Sequence, residues 1–130
     1  MDYLLDTTAI IEIENNNVNI INKINKLKSI DGDTFYISIF SFCEYYRGVI
    51  NKSDKNKANA LERLNKYLLL NTTRKTGILF VELLHHLSTK GQTIPHFDLF
   101  IASIAQEHNL TIITSDAHFK RIPEIKVVLI

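Results

Sequence analysis

Three short runs rich in apolar and β-branched residues, Tyr3–Leu5, Thr34–Ile37 and Thr111–Thr114, are separated by segments whose apolar residues recur at helical spacing. That alternation most constrains the fold, because strands joined through helices can pair only in parallel, and a parallel sheet needs helices on both faces. After Tyr3–Leu5, Thr7 or Thr8 can open a helix through Ile13, and Asn15-Asn16-Asn17 reads as a break. Val18, Ile21, Ile24 and Leu27 then predict a second helix before an Asp31-Gly32-Asp33 turn. A helix opened by Ser38 or Ser41 carries Glu44, with Gly48 near its end. A basic amphipathic helix follows with Ala58, Leu61, Leu64 and Leu68 on one face. The next helix spans about Thr73 to Ser88, with Ile78, Val81, Leu84 and Leu87 inward and Gly91 as its stop. The chain closes with a helix from about Phe97 to His108, the strand Thr111–Thr114, a short turn or helix over Ala117–Arg121, and a final strand around Lys126–Leu129. The expectation is one α/β domain over residues 1–130 with a central, mainly parallel sheet.

Ligand sites in open parallel sheets form beyond the carboxyl ends of the strands. Asp6 ends the first strand and Asp116 follows the strand Thr111–Thr114 by one residue, so both occupy that edge. Glu44 lies within Phe40-Ser41-Phe42-Cys43-Glu44-Tyr45-Tyr46, and Asp98 shares an apolar stripe with Ile101, Ala102 and Ala105. Each carboxylate alone has an ordinary explanation. Asp6 can cap a helix, Asp98 can favour a helix dipole, Asp116 can serve a turn, and Glu44 can pair with Arg47 three residues on. Together they pose a problem, since half-buried carboxylates repel one another and lose hydration. A divalent cation resolves both effects. Mg²⁺ or Mn²⁺ suits an all-oxygen donor set, with Mg²⁺ bonds of about 2.0–2.1 Å.

Bulk properties exclude more than they assign. The net charge of +1 gives no global argument for nucleic acid, but eight basic residues fall between Arg47 and Lys75 against the acidic Asp54 and Glu62. Such asymmetry lets one region draw a polyanion while another holds cations, although a solvated helical face gives the same pattern. No apolar run approaches the roughly 18 residues that span a membrane, and the N-terminus lacks a signal-peptide pattern, so a cytoplasmic location is expected. Cys43 is the single cysteine, which excludes an intrachain disulfide and a multi-thiolate zinc site; a buried, inert role is expected for it. The five histidines, His85, His86, His96, His108 and His118, show no recognisable metal-ligand spacing and receive no role.

Four segments carry a family likeness: Leu4-Leu5-Asp6-Thr7-Thr8-Ala9-Ile10, Ser41-Phe42-Cys43-Glu44-Tyr45-Tyr46-Arg47-Gly48, Ile94-Pro95-His96-Phe97-Asp98-Leu99-Phe100-Ile101-Ala102 and Thr114-Ser115-Asp116-Ala117-His118-Phe119. In order and over essentially the whole chain, they resemble the motifs of PIN-domain nucleases, most closely VapC toxins of toxin–antitoxin pairs. Tyr45 departs from the pattern, which commonly has an aliphatic residue after the glutamate. The resemblance implies a three-layer α/β/α fold and a Mg²⁺- or Mn²⁺-dependent endoribonuclease that hydrolyses RNA phosphodiester bonds with a metal-activated water. It implies Asp6, Glu44, Asp98 and Asp116 as catalytic metal ligands, and Thr7 and Thr114 as hydroxyls that orient them. It further implies a homodimer inhibited by a cognate antitoxin whose tail enters the active-site groove. A non-catalytic RNA- or partner-binding module is the alternative. A receiver-type signalling domain is disfavoured, since it would want an acidic pair at the first strand and a lysine after a late one, and a haloacid-dehalogenase-like phosphatase would want an Asp where Thr8 stands.

Overall fold

The computed structural model describes residues 1–28 and 32–130. Among these residues a five-stranded sheet of order β3-β2-β1-β4-β5 is parallel throughout. Its strands are β1 (Tyr3–Leu5), β2 (Phe35–Ser38), β3 (Leu68–Leu70), β4 (Thr111–Thr114) and β5 (Lys126–Leu129). The helices are α1 (Thr7–Glu14), α2 (Val18–Leu27), α3 (Ile39–Val49), α4 (Asp54–Leu64), α5 (Arg74–Thr89) and α6 (His96–Glu107). Of the expected Asp31-Gly32-Asp33 turn, Asp31 lies outside the described residues; Gly32 has φ +84°, which glycine tolerates best.

The period of two in β1 splits the core. Leu4 and Ile112 point to one face, where they pack with Leu83, Leu87 and the apolar side of α6. Leu5, Ile37 and Ile113 point to the other, against residues of α1, α2, α3 and α4. This is the expected three-layer α/β/α arrangement, and it places the exits of β1, β2 and β4 on one edge.

Local chemistry sets the element ends. Asn17 caps α2 by accepting from the Ile20 N–H, and Asn16 before it takes φ +55°. The Ser38 hydroxyl accepts from the Ser41 N–H at the start of α3. Gly91, at φ +67°, donates its N–H to the Ser88 carbonyl while the Gln92 N–H reaches Leu87, ending α5 as expected.

Three sequence expectations fail. Leu68 does not continue the helix of Leu61 and Leu64; it begins β3, which pairs beside β2 with Tyr36 opposite Leu68, and Ala58 is exposed. Spacing of three and four residues cannot distinguish a helix's last turn from a following edge strand, and the free side of β2 decided the outcome. On α5 the inward face is Thr76, Phe80, Leu83, Leu84 and Leu87, so Leu84 and Leu87 face inward as expected while Ile78 and Val81 are 54% and 61% exposed. Cys43 is exposed, because α3 buries Ser41, Tyr45 and Val49 and the cysteine lies on the opposite side of that helix.

Candidate metal centre

Asp6 stands at the N-cap position of α1 but makes no side-chain capping bond. Its side chain is committed to the adjoining strand exit, where Oδ2 accepts from the Thr114 hydroxyl at 2.7 Å and from the Thr8 hydroxyl at 3.2 Å. Those hydroxyls also accept backbone N–H groups, Thr114 from Asp116 and Thr8 from Ser115, each at 3.0 Å. The loop after β4 is thereby fastened to the first turn of α1. Asp6 is 3% exposed. Burial raises its pKa above the ordinary carboxylate value; the hydroxyls of Thr114 and Thr8 and the Thr7 N–H oppose the rise, and the Asp116 charge adds to it.

Glu44 comes from α3, one turn beyond the exit of β2, and its Oε1 accepts from the Thr7 hydroxyl at 2.7 Å. Among the described residues Arg47 forms no ion pair with it. Asp98 arrives from the first turn of α6 on the opposite layer. Burial also raises the Asp98 pKa; the bond from His118 lowers it, and the charges of Asp6 and Glu44 raise it further. Oxygens of Asp6, Glu44 and Asp98 lie within 4.8 Å of one another. Among the described residues no Lys or Arg makes an ion pair with any of these three.

Asp116 is placed differently. It caps the 3₁₀ turn Ala117–Arg121, its Oδ1 accepting from the His118 N–H at 3.2 Å. The same Oδ1 lies 2.7 Å from His118 Nδ1, and His118 Nε2 lies 2.9 Å from Asp98 Oδ2. Asp98, Asp116 and His118 therefore form a second cluster that shares Asp98 with the first. Thr7 and Thr114 contact the carboxylates as the family likeness implied. Thr8 and His118 were missed. Thr8 carries the signal of a hydroxyl two residues after Asp6; nothing in the spacing of His118 reveals a partner twenty residues away.

Tyr45, the departure from the family pattern, is buried in the core cluster that includes Ala60 and Leu64 of α4. Arg63 Nε and Lys66 Nζ lie 3.0 and 2.8 Å from Glu14 at the end of α1. Two cations of the basic segment thus serve to join α1 to the α4 region.

A parallel α/β/α sandwich with converging carboxylates at the carboxyl edge of its sheet defines the class of α/β proteins that hold polar ligands at that edge. Within it, the chain belongs to the PIN domain family, whose model matches residues 3–125. The chain is similar to one in the crystal structure of VapBC2 from Rickettsia felis bound to a DNA fragment from their promoter, with 28% identity and a TM-score of 0.87 over 100% of this chain and 99% of that one. It is also similar to a chain of VapBC-1 from nontypeable Haemophilus influenzae, at 23% identity and TM-score 0.85 over 99% and 98% of the two chains. VapBC-5 from Mycobacterium tuberculosis, described as a member of the VapBC family of toxin–antitoxin systems, matches at 18% identity and TM-score 0.76 over 99% and 98%. A sequence comparison with curated proteins gives no match.

Proposed function

We propose that this PIN domain is a Mg²⁺- or Mn²⁺-dependent endoribonuclease and the toxin of a toxin–antitoxin pair, acting in the cytoplasm as a homodimer restrained by its cognate antitoxin. The observation that carries this reading is the convergence of Asp6, Glu44 and Asp98, from three separate elements, with no Lys or Arg paired to them among the described residues. Such an arrangement is costly without a cation and fits one with hard-oxygen preferences. Asp6, Glu44 and Asp98 would hold the ion, with Asp116 at the flank. A bound divalent ion supplies Lewis-acid activation of water and neutralises charge developing at a phosphodiester.

The chain's own residues prepare that site. Thr7 aims Glu44, and Thr8 with Thr114 aims Asp6, so the carboxylates are oriented before any ligand arrives. A groove of about 250 Å³ runs from Glu44 past Ile11, Asn15, Gly48 and Val49 to Lys52. It offers a polyanion a path from a cation to the carboxylates. The choice of RNA over DNA rests on the family likeness, and the antitoxin on the similarity to VapBC2, since carboxylates and a cation would serve either nucleic acid.

The test is to incubate the purified protein, freed of any co-purifying partner, with a mixed RNA pool in Mg²⁺, Mn²⁺ or EDTA, beside Asp98→Asn. Discrete fragments that require both metal and wild-type protein are expected. Cleavage by Asp98→Asn at the wild-type rate would remove the assignment, and no cleavage by a folded, metal-bound wild type would favour a binding module.

A further inference from the structure

His118 is held from two sides. Its own backbone N–H and its ring Nδ1 both meet Asp116 Oδ1, at 3.2 and 2.7 Å. The ring also stacks on the buried Phe119 with centroids 5.2 Å apart. Without a cation, Nε2–H can donate to Asp98; with the ring proton on Nδ1 instead, 2.7 Å from Asp116 Oδ1, Nε2 presents a lone pair to a cation held by Asp98. Carboxylate–imidazole pairs of this form are how proteins orient a metal-binding histidine.

Nε2 faces Asp98 Oδ2 at 2.9 Å, on a carboxylate that already belongs to the Asp6–Glu44 cluster. Neighbouring ligand atoms around an octahedral ion with bonds of about 2.1 Å lie about 3.0 Å apart. The Nε2–Oδ2 pair therefore has the spacing of two adjacent ligands. The side chains of His118 and Asp98 are 22% and 17% exposed, so the pair is accessible yet largely shielded.

We propose that His118 Nε2 is a nitrogen ligand to a divalent cation shared with Asp98, and that this nitrogen biases the site toward Mn²⁺ over Mg²⁺. The inference rests on the metal-dependent reading above and adds to it a donor and an ion preference. Mg²⁺ takes oxygen ligands almost exclusively, whereas imidazole suits transition-metal ions. The bias therefore arises from donor chemistry, while Asp116 acts as the positioning residue that sets the imidazole tautomer.

Pulsed EPR of the full-length chain loaded with Mn²⁺ tests this without any turnover. The expected spectrum carries nitrogen-14 modulation from one imidazole, which changes to the nitrogen-15 pattern on histidine labelling and disappears in His118→Gln. Competition titrations should show that variant losing about tenfold in Mn²⁺ affinity with a smaller change for Mg²⁺. Bound Mn²⁺ that needs Asp98 but shows no nitrogen coupling overturns the inference and leaves the carboxylate site intact. Coupling that survives in His118→Gln overturns it as well, by assigning the nitrogen to another histidine. Failure of wild-type protein to bind Mn²⁺ while it binds Mg²⁺ overturns the inference alone, and failure to bind either ion overturns it together with the metal-dependent reading.

Discussion

Asp6 shows how a single side chain can be destabilising in one state and necessary in another. Its carboxylate is buried at the exit of β1, and burial raises its pKa against the pull of the Thr114 and Thr8 hydroxyls. The folded, metal-free protein therefore binds this proton more tightly than the unfolded chain does. That contribution to stability is complete below the unfolded pKa and is lost as pH rises through the raised folded value. At pH 8 in EDTA, Asp6→Asn should melt higher than wild type, by roughly 3–6 °C, the shift expected from about 1 kcal/mol in a domain of this size. Saturating Mn²⁺ should reverse the order, because the cation stabilises only the protein that retains its ligand. Differential scanning calorimetry with and without metal checks both statements. A variant less stable than wild type in EDTA would mean that the hydroxyl bonds outweigh desolvation. Part of this was readable beforehand: Asp6 follows an apolar strand, and the family likeness offered Thr114 as a hydroxyl that orients a carboxylate, whereas the Thr8 bond emerged only from the structure.

Between elements, polar contacts join helices that the hydrophobic pattern only places near one another. Glu107, in the last turn of α6, accepts hydroxyl bonds from Thr73 at 2.7 Å and from Thr76, where those two residues form the capping box of α5. Burial would raise its pKa, but the two hydroxyl bonds, helped by His108 and Lys75, outweigh burial and hold it below the ordinary value of 4.5. A depressed carboxylate contributes stability above its unfolded pKa and loses that contribution as pH falls through the folded value. Glu107→Gln should cost about 1–2 kcal/mol at pH 7. The difference from wild type should shrink as pH is lowered from near 4.5 through the depressed value, as measured by urea unfolding at a series of pH values. A gap independent of pH would assign the loss to packing. The helices themselves were legible from periodicity, and Thr73 was anticipated as the start of α5. Its partner was not, because Glu107 lies 34 residues away in sequence. The same limit hid β3: Leu68-Leu69-Leu70 has no alternation, and its pairing depended on β2 being available.

At the scale of the molecule, the exposed apolar residues bear on the proposed homodimer. Ile78 and Val81 stand on the outer face of α5, and Leu68 and Leu69 are half exposed on the edge strand. Exposed apolar groups of this size favour association over hydration. Val81→Asp should convert a dimer to a monomer in analytical ultracentrifugation with the far-UV circular dichroism unchanged, since the position is 61% exposed. A dimer that persists would move the interface elsewhere. The described helices include none long and apolar enough to cross a membrane. Sequence alone determined the alternating architecture apart from β3, and it placed Asp6 and Asp116 at strand exits, because strand length, helical period and residue chemistry are local properties. Tertiary structure decided which carboxylates meet, that Asp116 reaches Asp98 through His118, which face of α5 turns outward and that Arg63 and Lys66 bind Glu14. Those outcomes depend on how separate elements are rotated and brought together, and each residue's surroundings exist only once the packing of both faces of the sheet is complete.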